Sequence, residues 1–217
     1  LKGYKNAIAA FAPIKDIRVC NIKKANIRKC VDELFLRGLS KETIKTYLRR
    51  IKLIFNYYIE NYNPSFDLDL KFKIKTDLKE KNKKALTKSQ LDNLLNSKKL
   101  QSNKFYIVAY IAAKSGLRCG EILGLTWSDI DRNNMTLNVN KQWKVLKDTH
   151  KSGFGTLKSR NSYRKVPITT DFIKYLDIYK SENVLSIDGR IAPFNEHSID
   201  KYLNPVLKDL AGITLHE

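Results

Sequence analysis

Ser115-Gly116-Leu117-Arg118-Cys119-Gly120-Glu121-Ile122-Leu123-Gly124-Leu125-Thr126-Trp127-Ser128-Asp129-Ile130 is the stretch whose reading decides the fold. An apolar run from Tyr106 to Ala113 leads into it. Gly116 then ends the run, because glycine takes the left-handed conformation at a helix C-terminus without steric cost. A second short helix starts at once, with Glu121 in its first turn and Ile122, Leu123 and Leu125 to bury. Arg118 therefore sits at the seam between two apolar helical segments, where a guanidinium is costly without an acidic partner or a ligand. The residues alone leave two readings open. Arg118 is paired with a local carboxylate such as Glu121 or Asp129, or simply exposed; or it is held there for an anion. Base rates for arginine favour the first.

Downstream the period changes from helical to two. Met135, Leu137 and Val139 alternate with Thr136, Asn138 and Asn140, which predicts a strand behind the turn Asp131-Arg132-Asn133-Asn134. Trp143 and Val145 extend it or begin its partner, and Lys147 to Gly155 reads as a loop. Thr156 to Ile168 reads as a hairpin crowded with Lys158, Arg160, Arg164 and Lys165. Asp171 is expected to cap a helix carrying Phe172, Ile173, Leu176 and Tyr179. Another helix runs from Ser198 to Leu210, interrupted or kinked at Pro205 and ended by Gly212. Upstream, Thr87-Lys88-Ser89-Gln90 is a capping-box pattern before Leu91, Leu94 and Leu95.

The first 80 residues read as a small basic helical domain. Tyr4, Ala7, Ile8 and Phe11 recur at helical spacing until Pro13, and a second helix spans Lys23 to Arg37 before Gly38. Ser40 reads as the N-cap of the best-defined helix here, with Ile44, Tyr47, Leu48, Ile51, Ile54, Phe55 and Tyr58 as its apolar stripe. Lys41, Lys45, Arg49 and Lys52 recur on another face, with no acid on that stripe to balance them, and are expected to contact DNA phosphates rather than only solvent. Asn63-Pro64 closes the unit, and Ser65 to Lys84 reads as a linker whose alternation over residues 67–72 allows an edge strand.

Composition narrows the partner. The 217 residues carry a net charge of +19, which points to a polyanion and most often to nucleic acid. No apolar run is long enough to span a bilayer, so no membrane partner is expected. Cys20, Cys30 and Cys119 are odd in number and lack metal-type spacing, which predicts free thiols in a reducing cytosol. The start at Leu1-Lys2-Gly3 reads as part of a longer protein. No Gly-rich phosphate loop, zinc spacing or nucleophile elbow is present, and no cluster of carboxylates points to a two-metal nuclease. What remains is Arg118, Lys158 and His216, a set suited to a phosphoryl centre held without metal or cofactor.

Three motifs then resemble the tyrosine recombinases, the phage-integrase family. Gly116 to Ile130 is similar to the family's first arginine box. Leu157-Lys158-Ser159-Arg160-Asn161-Ser162-Tyr163-Arg164-Lys165-Val166-Pro167-Ile168 resembles its lysine hairpin, with Lys158 nine residues before Pro167. Ala211-Gly212-Ile213-Thr214-Leu215-His216-Glu217 resembles the lead-in to its His-x-x-Arg box, and Gly38-Leu39-Ser40-Lys41-Glu42-Thr43-Ile44 with Asn63-Pro64 resembles its core-binding domain.

The resemblance implies a mostly α fold. A small helical, SAM-like core-binding domain and linker would occupy residues 1–80. An α+β catalytic domain with a small antiparallel sheet would occupy 81–217, stopping before the second arginine and the tyrosine nucleophile. It implies a site-specific recombinase or integrase of a phage or mobile element, working through a covalent 3′-phosphotyrosine without metal. Arg118, Lys158 and His216 would be catalytic and Glu121 structural, with Lys41, Lys45, Arg49, Lys52, Arg160 and Arg164 on DNA. A slip of two along the hairpin would select Arg160 in place of Lys158. No tyrosine here takes the nucleophile's place; Tyr202 reads as a core aromatic beside Leu203 and Val206, and His150 and His197 as surface residues. The implied partners are double-stranded DNA, a homotetramer on it when full length, a monomer for the fragment, and accessory DNA-bending or directionality factors. The implied location is the bacterial cytosol, at the nucleoid. The alternative is a non-catalytic DNA-binding protein.

Overall fold

The computed structural model describes residues 2–72, 74 and 85–215. The chain divides into two compact units, Leu1–Lys81 and Asn82–Glu217.

The first unit is built on helices α1 (Lys2–Ala10), α2 (Lys24–Leu36) and α3 (Lys41–Asn61). Ser40 caps α3, its Oγ accepting from Thr43 N at 3.2 Å. Gly38, at φ +76°, makes the left-handed turn between α2 and α3. Ile27, Cys30, Val31 and Leu34 of α2 meet Ile44, Leu48, Ile51 and Phe55 of α3 in one core. The expected faces of α1 and α3 are too wide. Ala7 and Phe11 are buried, but Tyr4, Ile8 and Ile54 are exposed, because a helix at the surface of a small unit buries only the stripe that faces its neighbours. No strand forms over the described residues of 65–74. Phe66, Leu68, Leu70, Phe72 and Ile74 instead lay one side of an extended segment against the core, which is the origin of the alternation. Residues 73 and 75–84, the rest of the expected linker, lie outside the described residues.

The second unit opens with α4 (Lys88–Leu95), α5 (Lys98–Gln101), α6 (Tyr106–Ser115) and α7 (Cys119–Leu123). The capping box of α4 forms: Gln90 N donates to Thr87 Oγ1 and Thr87 N to Gln90 Oε1. Helix α6 is apolar nearly all round and buries Ile107, Val108, Ala109 and Ile111, so it is the centre of this core. Gly116, at φ +64°, ends it.

Strands β1 (Ile130–Asp131), β2 (Thr136–Val139) and β5 (Arg164–Pro167) form an antiparallel sheet in the order β1-β2-β5, with Leu137 opposite Val166 and Val139 opposite Arg164. Strands β3 (Gln142–Val145) and β4 (Ser152–Gly155) form a separate hairpin. Two expectations change here. The stretch 147–155 is not all loop, since it supplies β4. Thr156 to Ile168 is not a hairpin: residues 156–163 run as a turn-rich segment, and β5 pairs back to β2. Periodicity marks a strand but carries no information about its partner.

Helix α8 (Thr170–Glu182) is capped by Thr169, whose Oγ1 accepts from Phe172 N at 3.2 Å, with Asp171 in the first turn rather than at the cap. The expected helix from Ser198 is three pieces. They are α9 (Glu196–Ser198), a π-helical turn (Ile199–Leu203) and α10 (Asn204–Ala211), with Pro205 at the start of α10. Tyr202 is half exposed, its ring stacked on Phe105 at 5.9 Å, and is not the core aromatic expected. Among the described residues no helix is long and apolar enough to cross a membrane.

Two glycines let the β3–β4 hairpin close on α7. A Cβ at Gly124 would lie 2.8 Å from the backbone of Gln142 and Trp143, and one at Gly120 would lie 3.3 Å from the Trp143 carbonyl oxygen. Gly124→Ala is expected to destabilise the second unit by about 1–3 kcal/mol, as overpacking against backbone does, and Gly120→Ala by less. Both tryptophans, Trp127 and Trp143, lie in this unit, so urea denaturation followed by tryptophan fluorescence measures the difference.

Candidate active site

The short helix α7 is organised by its own third residue. Glu121 reaches back to the helix start, and Arg118 N donates to its Oε2 at 3.0 Å. The carboxylate is only 3% exposed, and burial of a charge requires partners. It has two. Arg118 Nη1 donates to Oε1 at 3.0 Å. Arg164, arriving at the first residue of β5, sets its Nη2 on Oε2 at 2.9 Å and its Nη1 on Oε1 at 3.2 Å. Burial pushes the Glu121 carboxyl up, and the hydrogen bonds from Arg164 and Arg118 outweigh it, so the net shift is down. Arg118 is thus paired, as the commonplace reading had it, and also presented: its side chain stays 68% exposed.

Arg164, expected on DNA phosphate, is half-buried with its fork on a carboxylate, and Glu121 raises its pKa further. No sequence spacing links residues 121 and 164; only the β2–β5 pairing does. Lys158 stands apart from this cluster. It is exposed on the segment after β4, next to the buried Leu157, and makes no hydrogen bond or ion pair among the described residues. Gln142 Nε2 and Lys144 Nζ, both on β3, donate to the Thr156 carbonyl at 2.6 and 2.8 Å, and Ser159 and Ser162 share a hydroxyl contact at 3.0 Å, so the segment bearing Lys158 is tied at both ends. Arg160 lies exposed within it.

His216 lies outside the described residues. Its lead-in does not: Leu215 N donates to Asn204 Oδ1 at 3.0 Å, and buried Asn204 donates in turn to Asp200. Asn204 drew no attention in the sequence, because nothing in its surroundings distinguishes it from a helix-start asparagine. Arg190 was likewise missed. It is 8% exposed, its guanidinium lies 3.5 Å from the centre of the Trp143 ring, and it donates to Asp188 and to the Phe194 carbonyl. It therefore holds β3 in place against α7. Cys119 is buried and its thiol is pushed up to about 12, chiefly by burial, which makes it inert. Tyr175 is raised by burial and by its tyrosine neighbours. His150 and His197 are exposed. Among the described residues no three His, Cys, Asp or Glu side chains come together to hold a metal.

In the first unit Lys45, Arg49 and Lys52 line an open groove with Lys24 and Lys71. The stripe is not free of acid, contrary to expectation: Glu42, one turn before Lys45, pairs with it at 2.7 Å and approaches Arg49 at 3.9 Å. Lys41 lies outside the groove, at the first residue of α3.

Glu121 and Asp129 both sit below the usual carboxylate range; for Asp129 burial raises the pKa, and hydrogen bonds from Lys141 and Thr126 outweigh it. With folded values below unfolded ones, the unfolded chain takes up protons first, so their stabilisation is complete above the ordinary range and drains as pH falls through the folded values. The urea midpoint of the second unit should therefore hold from neutral pH down to about 4.3 and fall below it. Glu121→Gln should lower the unfolding free energy by about 2 kcal/mol at neutral pH and flatten that acid limb.

Comparison with known proteins places the chain. The model of the phage integrase family matches residues 84–213. A XerC-like tyrosine recombinase of Caldanaerobacter subterraneus is 27% identical over 82% of this chain and 48% of its own length. The transposase of transposon Tn916 from Enterococcus faecalis is 30% identical over 78% of this chain and 43% of its own. The ICEBs1 integrase of Bacillus subtilis is 28% identical over 84% and 49%. The chain thus spans about half the length of the curated relatives it matches. The Tn1549 transposon integrase, solved in complex with transposon right-end DNA, superposes with a TM-score of 0.78 at 19% identity, covering 97% of this chain and 72% of that one, a likeness of fold. By its family match, on a fold of helices and a small antiparallel sheet, the chain belongs to the phage integrase family of tyrosine recombinases.

Proposed function

We propose that this chain is the DNA-binding and phosphate-activating part of a site-specific recombinase that cuts and rejoins DNA for a mobile genetic element. The observation that carries this is Arg118, fixed through Glu121 at a helix junction yet left open to an anion. A relative whose name is transposase and another whose name is integrase support it, as does a DNA-bound integrase with the same fold. The proposed domain roles are core-binding for residues 1–80 and catalytic for 81–217.

In this reaction a tyrosine supplied by the longer protein attacks the scissile phosphorus. The phosphorus–5′-oxygen bond breaks, leaving a 3′-phosphotyrosine and a free 5′-hydroxyl, and reversal on a new 5′-hydroxyl rejoins the strand. Arg118 neutralises charge on the non-bridging oxygens. Lys158 gives its proton to the departing 5′-oxygen, and His216 either takes the phenolic proton of the attacking tyrosine or, with that proton passing to water, donates to the phosphate. Lys45, Arg49, Lys52 and Arg160, with Lys41 at the start of α3, contact backbone phosphates, and a net charge of +19 draws the duplex in. No step calls for a metal or cofactor. The full-length protein works as a tetramer on two duplexes in the bacterial cytosol, with DNA-bending or directionality factors assisting. By themselves, these 217 residues bind duplex DNA as a monomer, without strand cutting.

The longer protein, mixed with a nicked suicide duplex carrying its target site, should form a covalent adduct in the presence of EDTA. Arg118→Lys should reduce the adduct by about a hundredfold or more, the scale for loss of an oxyanion contact. An adduct that requires magnesium, or survives that change, would sink the assignment.

A further inference from the structure

Arg164 has an unusual position for a cation on a DNA-facing protein. Both of its terminal nitrogens are spent on Glu121, at 2.9 and 3.2 Å, and Nη1 also donates to the Ser162 carbonyl at 3.0 Å. Three of its five N–H donors, and both of its terminal nitrogens, are thereby committed within the protein. Arg118, by contrast, commits one guanidinium nitrogen to Glu121, and its Nε and Nη2 have no partner among the described residues. This buried carboxylate is shared unequally, with the inner arginine holding it by both oxygens and the outer one reaching one oxygen with its side chain.

Charge explains why two arginines are present. A pair made of Glu121 and Arg118 alone would be neutral, and its carboxylate would repel any anion brought to the guanidinium. With Arg164 the trio carries a net +1, and Arg164 occupies the carboxylate on its buried side. Glu121 can then orient Arg118 without cancelling it.

We propose that Arg164 is a positioning residue that answers the charge of Glu121, so that Arg118 keeps its own charge for the phosphate. This rests on Arg118 being the phosphate-binding arginine of the proposed reaction. Arg164 itself touches neither DNA nor the reacting atoms, in contrast to the DNA contact its sequence context implies.

The test is a titration of the 217-residue chain with inorganic phosphate, followed by the arginine Nε–Hε resonance of Arg118 and assigned with Arg118→Ala. Arg164→Met should weaken phosphate binding at Arg118 about tenfold. The double variant Glu121→Gln/Arg164→Met, which removes both charges, should recover most of that loss, a recovery that a purely structural role for Arg164 does not give. Arg164→Lys keeps the charge without the fork and should fall between, at about a threefold loss. It carries the test if Arg164→Met does not fold, and an unchanged affinity would then overturn the proposal. A double variant no better than the single overturns it too. So does a duplex-DNA salt slope reduced by about one unit in Arg164→Met, which marks a phosphate contact. If the Arg118 resonance of the wild-type chain does not respond to phosphate at all, the site assignment has failed rather than the role of Arg164.

Discussion

A buried carboxylate between two guanidinia is the constraint on which the second unit depends. Glu121 cannot be buried at 3% exposure unless every lone pair it turns inward is met. One donor comes from the backbone at the start of its own helix, one from the side chain three residues earlier, and two from a strand more than forty residues later. The first two are local and form with the helix. The last two exist only when β5 has paired with β2 in the register that sets Arg164 opposite Val139. A single ion cluster therefore couples the geometry of α7 to completion of the sheet.

The hairpin β3–β4 depends on the same helix from its other side. Gly120 and Gly124 strip α7 of side chains where the backbone of β3 arrives, and the Arg190 guanidinium sits over the Trp143 ring. The segment bearing Lys158 is then tied to this hairpin through the Thr156 carbonyl and anchored by Leu157. Rigid backbone close to the surface, with long cations at its exposed points, is how a protein presents charge to a phosphate without losing side-chain packing below it.

The first unit solves a simpler problem. Its core is three helices and an extended flank, and its cations are spread over a groove rather than gathered at a point. Glu42 offsets part of the α3 stripe, but exposed pairs of this kind are worth little and yield readily to a polyanion. The cations of the first unit are spread along a groove, whereas the two arginines of the second are fixed on one carboxylate.

The sequence by itself determined the helices with their punctuation, because those signals are local. Gly38, Gly116 and Gly212 take the left-handed conformation, Ser40 and Thr87 cap, and the alternation from Leu137 to Val139 is a strand. It also determined the family, through motifs in order, and the sign of the partner, through net charge. It marked Arg118 as a guanidinium needing a reason. Tertiary structure alone decided the rest: that β5 pairs with β2 instead of folding back on its own hairpin, that Pro205 starts a helix after a π-helical turn, and that Arg164 serves a carboxylate rather than the surface. The physical reason is one of range. Caps, turns and periods are settled within a few residues, whereas the partner of a strand, or of a buried charge, is fixed by where the remainder of the chain packs.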